Sequence, residues 1–230
     1  MNTFVGFLVS VTRYGDQDAI LHLVTQDFGF QSFYVRSIYT QRNKKKPYLS
    51  LLNELQISTT QGFTKGDLKT VRSLDLVSET QLYADFKAQS IVFFIAEICN
   101  SVLRNEEDAH ASYQHIKELR KQLEKGFYHV HLVFLILLLK NLGSSPLVSE
   151  HYFLNPEEGA FGNDMYNRNF TQEISDIWKT ILQSHDPFSV EIKNQNRKMM
   201  LDSILIYYHI HVPGFKMPKS LEVLQQIFES

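Results

Sequence analysis

Apolar and polar positions follow two different rhythms along the chain, and the change falls near Ser78. Before it, short apolar runs are separated by turn-forming residues, the signature of strands. Phe4–Val11 is apolar and leads into a polar turn holding Gly15-Asp16, and Ala19–Thr25 follows and ends at Asp27-Phe28-Gly29. Phe30–Ile38 is rich in aromatic and β-branched residues. Leu51–Thr60 alternates, with Leu51, Leu55 and Ile57 on one face and Glu54, Gln56, Ser58 and Thr60 on the other. After a polar loop with Gly62 and Gly66, Leu68–Val77 supplies a fifth strand. Five short strands with one long connection predict a small closed barrel rather than an open sheet.

From Ser78 the period becomes helical. Ser78-Glu79-Thr80-Gln81 has the S-x-x-Q form of a capping box, and Leu82, Phe86, Phe93, Ile98 and Val102 recur at helical spacing as far as Arg104. Further helices are expected over Ser112–Lys125, Phe127–Leu142, Thr171–Ser184, Asn194–His211 and Ser220–Phe228. The third, apolar on all sides and stopped by Gly143 and Pro146, belongs at the centre of a bundle. Leu147–Phe170 has no clear period and reads as irregular. The expected layout is an α+β chain: a five-stranded barrel over residues 1–78, then an all-α bundle over 79–230 with an irregular insert near 147–170.

Composition narrows the class. With 43% hydrophobic and 21% charged residues, 230 residues can bury a sizeable core. A single cysteine, Cys99, excludes a disulfide framework or a cysteine zinc knuckle and fits a reducing compartment. The opening Met1-Asn2-Thr3-Phe4 has no basic segment, and Phe4–Val9 is too short for the core of a signal peptide. Val130–Leu139 is too short to span a bilayer. A cytoplasmic protein with no membrane partner is the expectation.

The net charge of −2 conceals an uneven division: +3 over residues 1–78 and −5 over the remainder. Between Arg36 and Arg72 lie Arg36, Arg42, Lys44, Lys45, Lys46, Lys65, Lys69 and Arg72, against only Glu54 and Asp67. The run Arg42–Lys46 falls in the connection between the third and fourth strands, near Tyr34, Tyr39 and Tyr48. Clustered cations release counterions on meeting phosphates, and aromatic rings give bases a surface to stack on. A solvated loop is the competing explanation of such a run.

Several stretches together resemble the RecO family of bacterial recombination mediators. Phe7–Gly29 is similar to that family's opening pair of strands, Leu154–Gly162 (LNPEEGAFG) to the segment after its third helix, and Arg197–Phe228 to its closing helices. The resemblance implies an OB-fold barrel followed by a helical domain, with no catalytic centre and no cofactor. It further implies binding of single- and double-stranded DNA, strand annealing, association with RecR, recognition of the C-terminal tail of the single-stranded DNA-binding protein SSB, and a functional link to RecA. On that basis the DNA contacts expected are the eight basic residues above with Tyr39, joined by Arg13 in the first barrel turn. Two features depart from the family. The four-cysteine zinc knuckle is replaced by the cysteine-free Leu147–Phe170, so no zinc is expected. The Gly-rich basic stretch after the third strand is replaced by Arg36-Ser37-Ile38-Tyr39-Thr40.

Other constellations carry less. His129/His131 and His209/His211 fall in predicted helices, where positions i and i+2 face opposite ways, so neither pair is read as a metal site. Cys99 sits in an apolar helix and reads as an inert buried thiol. Glu106-Glu107-Asp108 and Glu157-Glu158 have no neighbour suited to acid–base work, and Trp178, Tyr207 and Tyr208 read as core. Lys117, Arg120, Lys121 and Lys125 form a basic stripe on the second helix, a solvated face or a grip for the acidic SSB tail. A protein–protein adaptor with an incidental basic loop is the alternative to DNA binding, and an enzyme stands well behind both.

Overall fold

The computed structural model describes residues 2–60, 68–78, 82–104, 106 and 109–229. The chain divides into two compact units, Met1–Arg120 with Pro218–Ser230, and Lys121–Met217.

In the first unit five strands close into a barrel in the order β1-β2-β3-β5-β4: β1 Asn2–Tyr14, β2 Asp18–Thr25, β3 Gly29–Val35, β4 Glu54–Thr59 and β5 Lys69–Leu76. Antiparallel neighbours run through β1–β2, β2–β3, β4–β5 and β1–β4. The ring is completed by a short parallel pairing in which Phe33 faces Lys69 and Tyr34 faces Thr70. This is the OB arrangement. Alternate residues point inward, so Phe4, Leu8, Leu21, Leu23, Phe33, Leu55, Ile57 and Leu74 fill the interior. The Phe4 ring meets Phe28 and Phe33 at centroid distances of 5.1 and 5.2 Å.

The strand bounds differ from the expected ones for backbone reasons. β1 continues through Arg13 and Tyr14, whose backbones still pair with Ala19 and Asp18. β3 stops before Ser37, which takes a positive φ of 52°, and β4 starts after Leu52, at φ 56°. Both turns take the chain out of extended geometry, and between them lies a short 3-10 helix, Lys46–Leu49. The polar face expected of β4 is also partly covered. Glu54 is only 5% exposed, because the Tyr113 hydroxyl of α2 (His110–Glu124) donates to its carboxylate.

Helix α1 spans Phe86–Val102, and Asp85 caps it by accepting from the Lys87 amide at 2.9 Å. The helix therefore starts later than expected. Leu82–Ala84 is a 3-10 turn, and Glu79, Thr80 and Gln81 of the anticipated capping box lie outside the described residues. Helix α6, Leu221–Glu229, packs on α1. Glu97 of α1 accepts from the amides of Lys219 and Ser220 at 2.9 and 3.0 Å and from Ser220 Oγ at 2.7 Å, satisfying amides at the start of α6. Burial alone would raise the Glu97 carboxyl, but these donations outweigh it and hold its pKa below the usual value.

In the second unit α3 (Val130–Asn141) is buried from Val130 to Leu139 and packs against α4 (Gln172–Gln183) and α5 (Asn194–His211). Trp178, Tyr207 and Tyr208 are core residues, as the pattern predicted. Trp178 Nε1 donates to Ser203 Oγ at 3.0 Å, and the Tyr208 hydroxyl donates to the Leu135 carbonyl at 2.8 Å. The segment expected to be irregular contains a hairpin, β6 Phe153–Asn155 with β7 Ala160–Gly162, whose three-residue strands are too short to show a period. The hairpin is held from three directions. The Leu154 amide donates to Ser175 Oγ at 3.0 Å, His211 Nε2 lies 2.6 Å from the Pro156 carbonyl, and Lys179 Nζ sits 4.8 Å above the Phe161 ring. Gly159, at φ +63°, brings the turn so close that an added Cβ would lie 3.0 Å from the Tyr207 hydroxyl. Among the described residues, no helix is long and apolar enough to cross a membrane.

Candidate nucleic-acid interface

One end of the barrel collects the β1–β2 turn and the connection that leaves β3. The Tyr39 amide donates to the Gln17 carbonyl at 2.9 Å, tying the two segments together. Arg13, exposed at the end of β1, donates from Nη2 to the Asp16 carbonyl at 2.9 Å and lies 5.3 Å from the Tyr39 ring centroid. Arg36 lies 5.9 Å from the Tyr34 ring. Tyr34 in turn donates its hydroxyl to Asp18, which also accepts the Ser37 amide at 2.7 Å. The Ser37 amide, then the Tyr34 hydroxyl, hold the Asp18 carboxyl below the ordinary carboxylate range, with Arg36 adding to the effect. The same contact raises the Tyr34 phenol. Tyr14 completes the group, with its ring 5.7 Å from Tyr34 and nearly perpendicular to it.

The long connection carries the other cations. Thr40 Oγ1 and Asn43 Nδ2 both donate to the Ser37 carbonyl, at 2.9 and 3.1 Å, and the Lys45 amide donates to Asn43 Oδ1 at 2.9 Å. These bonds make the connection an ordered series of turns on which Arg42, Lys44 and Lys46 are exposed. Lys45 behaves differently. Its Nζ donates to the Leu74 carbonyl at 2.6 Å and pairs with Asp75 at 3.0 Å, so it ties the connection to β5. Arg72 is exposed on β5, and Lys65 lies outside the described residues.

Two expected contacts need correction. Lys69 is 1% exposed. It points into the barrel, where its Nζ donates to Gln31 Oε1 at 2.7 Å and stands 5.9 Å from the Phe4 ring, out of reach of a phosphate. Arg120 is 6% exposed, with its guanidinium 5.2 Å from the Phe7 ring, so it packs on the barrel and drops out of the basic stripe. Lys117, Lys121 and Lys125 are exposed.

Cations on an ordered loop beside aromatic rings can meet phosphates and bases at once. Tyr14 and Asp18 were not among the candidates the sequence raised, and Tyr34 stood there only as an aromatic near the basic run. Tyr14 borders Gly15-Asp16, where an aromatic residue at a turn tip was the available signal. The pairing of Tyr34 with Asp18 left no local trace. Among the described residues, no three His, Cys, Asp or Glu side chains converge in a way that could hold a metal ion. Cys99 is fully buried, and desolvation pushes its thiol pKa far up.

Comparison with known proteins agrees with this architecture. Residues 1–80 match the family model described as Recombination protein O N terminal. Over nearly their whole lengths, the chain is similar to proteins named DNA repair protein RecO. That of Flavobacterium psychrophilum is 26% identical, covering 96% of each chain. That of Bacteroides fragilis is 25% identical over 98% of each. That of Azobacteroides pseudotrichonymphae is 23% identical over 94% of this chain and 95% of the relative. A closed five-stranded barrel, a family model matching residues 1–80 and relatives aligned over nearly their whole lengths together support a RecO family protein.

Proposed function

We propose that this protein is a non-enzymatic, DNA-binding mediator of recombinational repair, a role supported at the coarse level by the name its relatives carry. The observation that carries the finer reading is the exposed set Arg13, Arg36, Arg42, Lys44, Lys46 and Arg72 on a barrel whose loop is already ordered. Single- and double-stranded DNA both present the phosphates such a set recognises. Neutralising two strands at one surface lowers their mutual repulsion and promotes annealing. Association with RecR and delivery of RecA to SSB-coated DNA follow from the family resemblance. The exposed Lys117, Lys121 and Lys125 suit the acidic tail of SSB, since ammonium groups pair with carboxylates.

The deciding experiment is fluorescence anisotropy of a labelled single-stranded oligonucleotide across a salt series. Wild type is compared with a variant carrying Arg42→Glu, Lys44→Glu and Lys46→Glu. Lys45 is left intact because it anchors the loop. If the three side chains contact phosphates, affinity falls and the log–log salt slope flattens by roughly 0.7 per contact, about 2 in all. An unchanged slope with tight binding places the DNA elsewhere. Wild type that fails to bind at low salt leaves the adaptor reading.

A further inference from the structure

We infer that Tyr14 is a stacking platform for an unpaired base and gives the barrel a preference for single strands over duplex. The inference rests on the DNA-binding reading above and adds the part of the ligand that is recognised. Tyr14 is 58% exposed, at the end of a strand whose last three residues, Thr12 to Tyr14, all lie in the open. Its ring is supported without being covered. Tyr34 meets it at an interplanar angle of 87° and a centroid distance of 5.7 Å. Tyr34 is itself held by its hydroxyl bond to Asp18 and flanked by the Arg36 guanidinium. On the same end of the barrel, Arg13 follows the Tyr39 ring at 5.3 Å.

The result is two ring–guanidinium pairs at one end of the barrel, Tyr34 with Arg36 and Tyr39 with Arg13, and Tyr14 stands exposed against the first of them before any ligand arrives. Phosphates alone would be served by the cations, and a preset exposed ring adds nothing to that. A ring face matches a base face, and duplex hides base faces inside its stack. The cations therefore act on either form of DNA, whereas Tyr14 acts on single strands.

The test compares wild type, Tyr14→Ala and Tyr14→Phe on three probes of equal length: oligothymidine, an abasic oligomer with the same number of phosphates, and duplex DNA. Stacking predicts that Tyr14→Ala loses about tenfold in affinity for oligothymidine. The same variant should bind the abasic oligomer and the duplex as wild type does, which also shows that it is folded. Tyr14→Phe, which keeps the ring, should retain oligothymidine binding, and the salt slope should be the same for all three proteins. A Tyr14→Trp variant adds a direct readout, because stacking quenches indole fluorescence on addition of oligothymidine but not of the abasic oligomer. Equal affinity of Tyr14→Ala and wild type for oligothymidine overturns the inference, as does an equal loss on all three probes. Wild type that binds none of them removes the DNA-binding reading itself, an outcome distinct from the other two.

Discussion

Lys44, Lys45 and Lys46 are identical side chains in a row, yet they do different work. Lys44 and Lys46 face solvent, whereas Lys45 reaches across to the Leu74 carbonyl and Asp75. Charge is legible in a sequence, but the direction in which a side chain leaves the backbone is not. In this loop the direction is decided by the Asn43 cap and the turn at Ser37. The same limit applies to Lys69, which the sequence groups with its basic neighbours and the fold points into the barrel against Gln31. Swapping charge at two adjacent positions separates these roles. Lys45→Glu sets a carboxylate against Asp75 and strips a donor from Leu74, so it should cost about 1–2 kcal/mol in denaturant unfolding. Lys44→Glu should stay within about 0.5 kcal/mol of wild type. Equal effects from the two would contradict the anchoring role.

At the level of elements, the helices were more legible than the strands' limits. An all-apolar run such as Val130–Leu139 can only be buried, and α3 is buried from end to end of that run. What periodicity does not show is that one of its members is ionisable and enclosed. His131 is fully buried, and desolvation, aided by His129 and Arg197, pulls its pKa down to about 4, against a backbone contact to Tyr128 that raises it. The unfolded chain binds this proton near pH 6.5, so between about 6.5 and 4 it holds more protons than the native state. Stability therefore rises with pH across that window and falls as the solution is acidified through it. Between pH 7 and pH 5 this group alone should remove about 2 kcal/mol. Urea unfolding at the two pH values should show that loss in wild type and a correspondingly smaller one in His131→Leu. An equal loss in both proteins would assign the acid sensitivity to other groups.

For the molecule as a whole, the change of period near Ser78 was enough to foresee a barrel followed by helices. The cover that α2 lays over Glu54 and the bonds from Glu97 to Ser220 were not foreseen. Contacts between residues 59 or 123 positions apart leave no local pattern to read. Charge gives a further whole-molecule consequence. With a net charge of −2, long-range attraction toward DNA is weak, so the proposed DNA binding has to rest on the local set on the barrel. Annealing of complementary strands should therefore be accelerated most at low ionic strength and lose its acceleration as salt rises. The Arg42/Lys44/Lys46→Glu variant should give little acceleration at any salt concentration. A rate indifferent to salt in wild type would mean that charge neutralisation is not how strands are brought together.

The parallel pairing of β3 with β5 closes the ring of strands and so removes the sheet's edges. An open sheet offers a row of amides and carbonyls to any extended peptide, and chains with such edges acquire partners, or copies of themselves, by strand addition. Among the described residues, this barrel offers only the short stretches of β3 and β5 that lie beyond their two-pair ladder. Whatever docks on it is recognised chiefly by side chains and loop tips. Its associations are therefore the kind that single substitutions can tune or abolish.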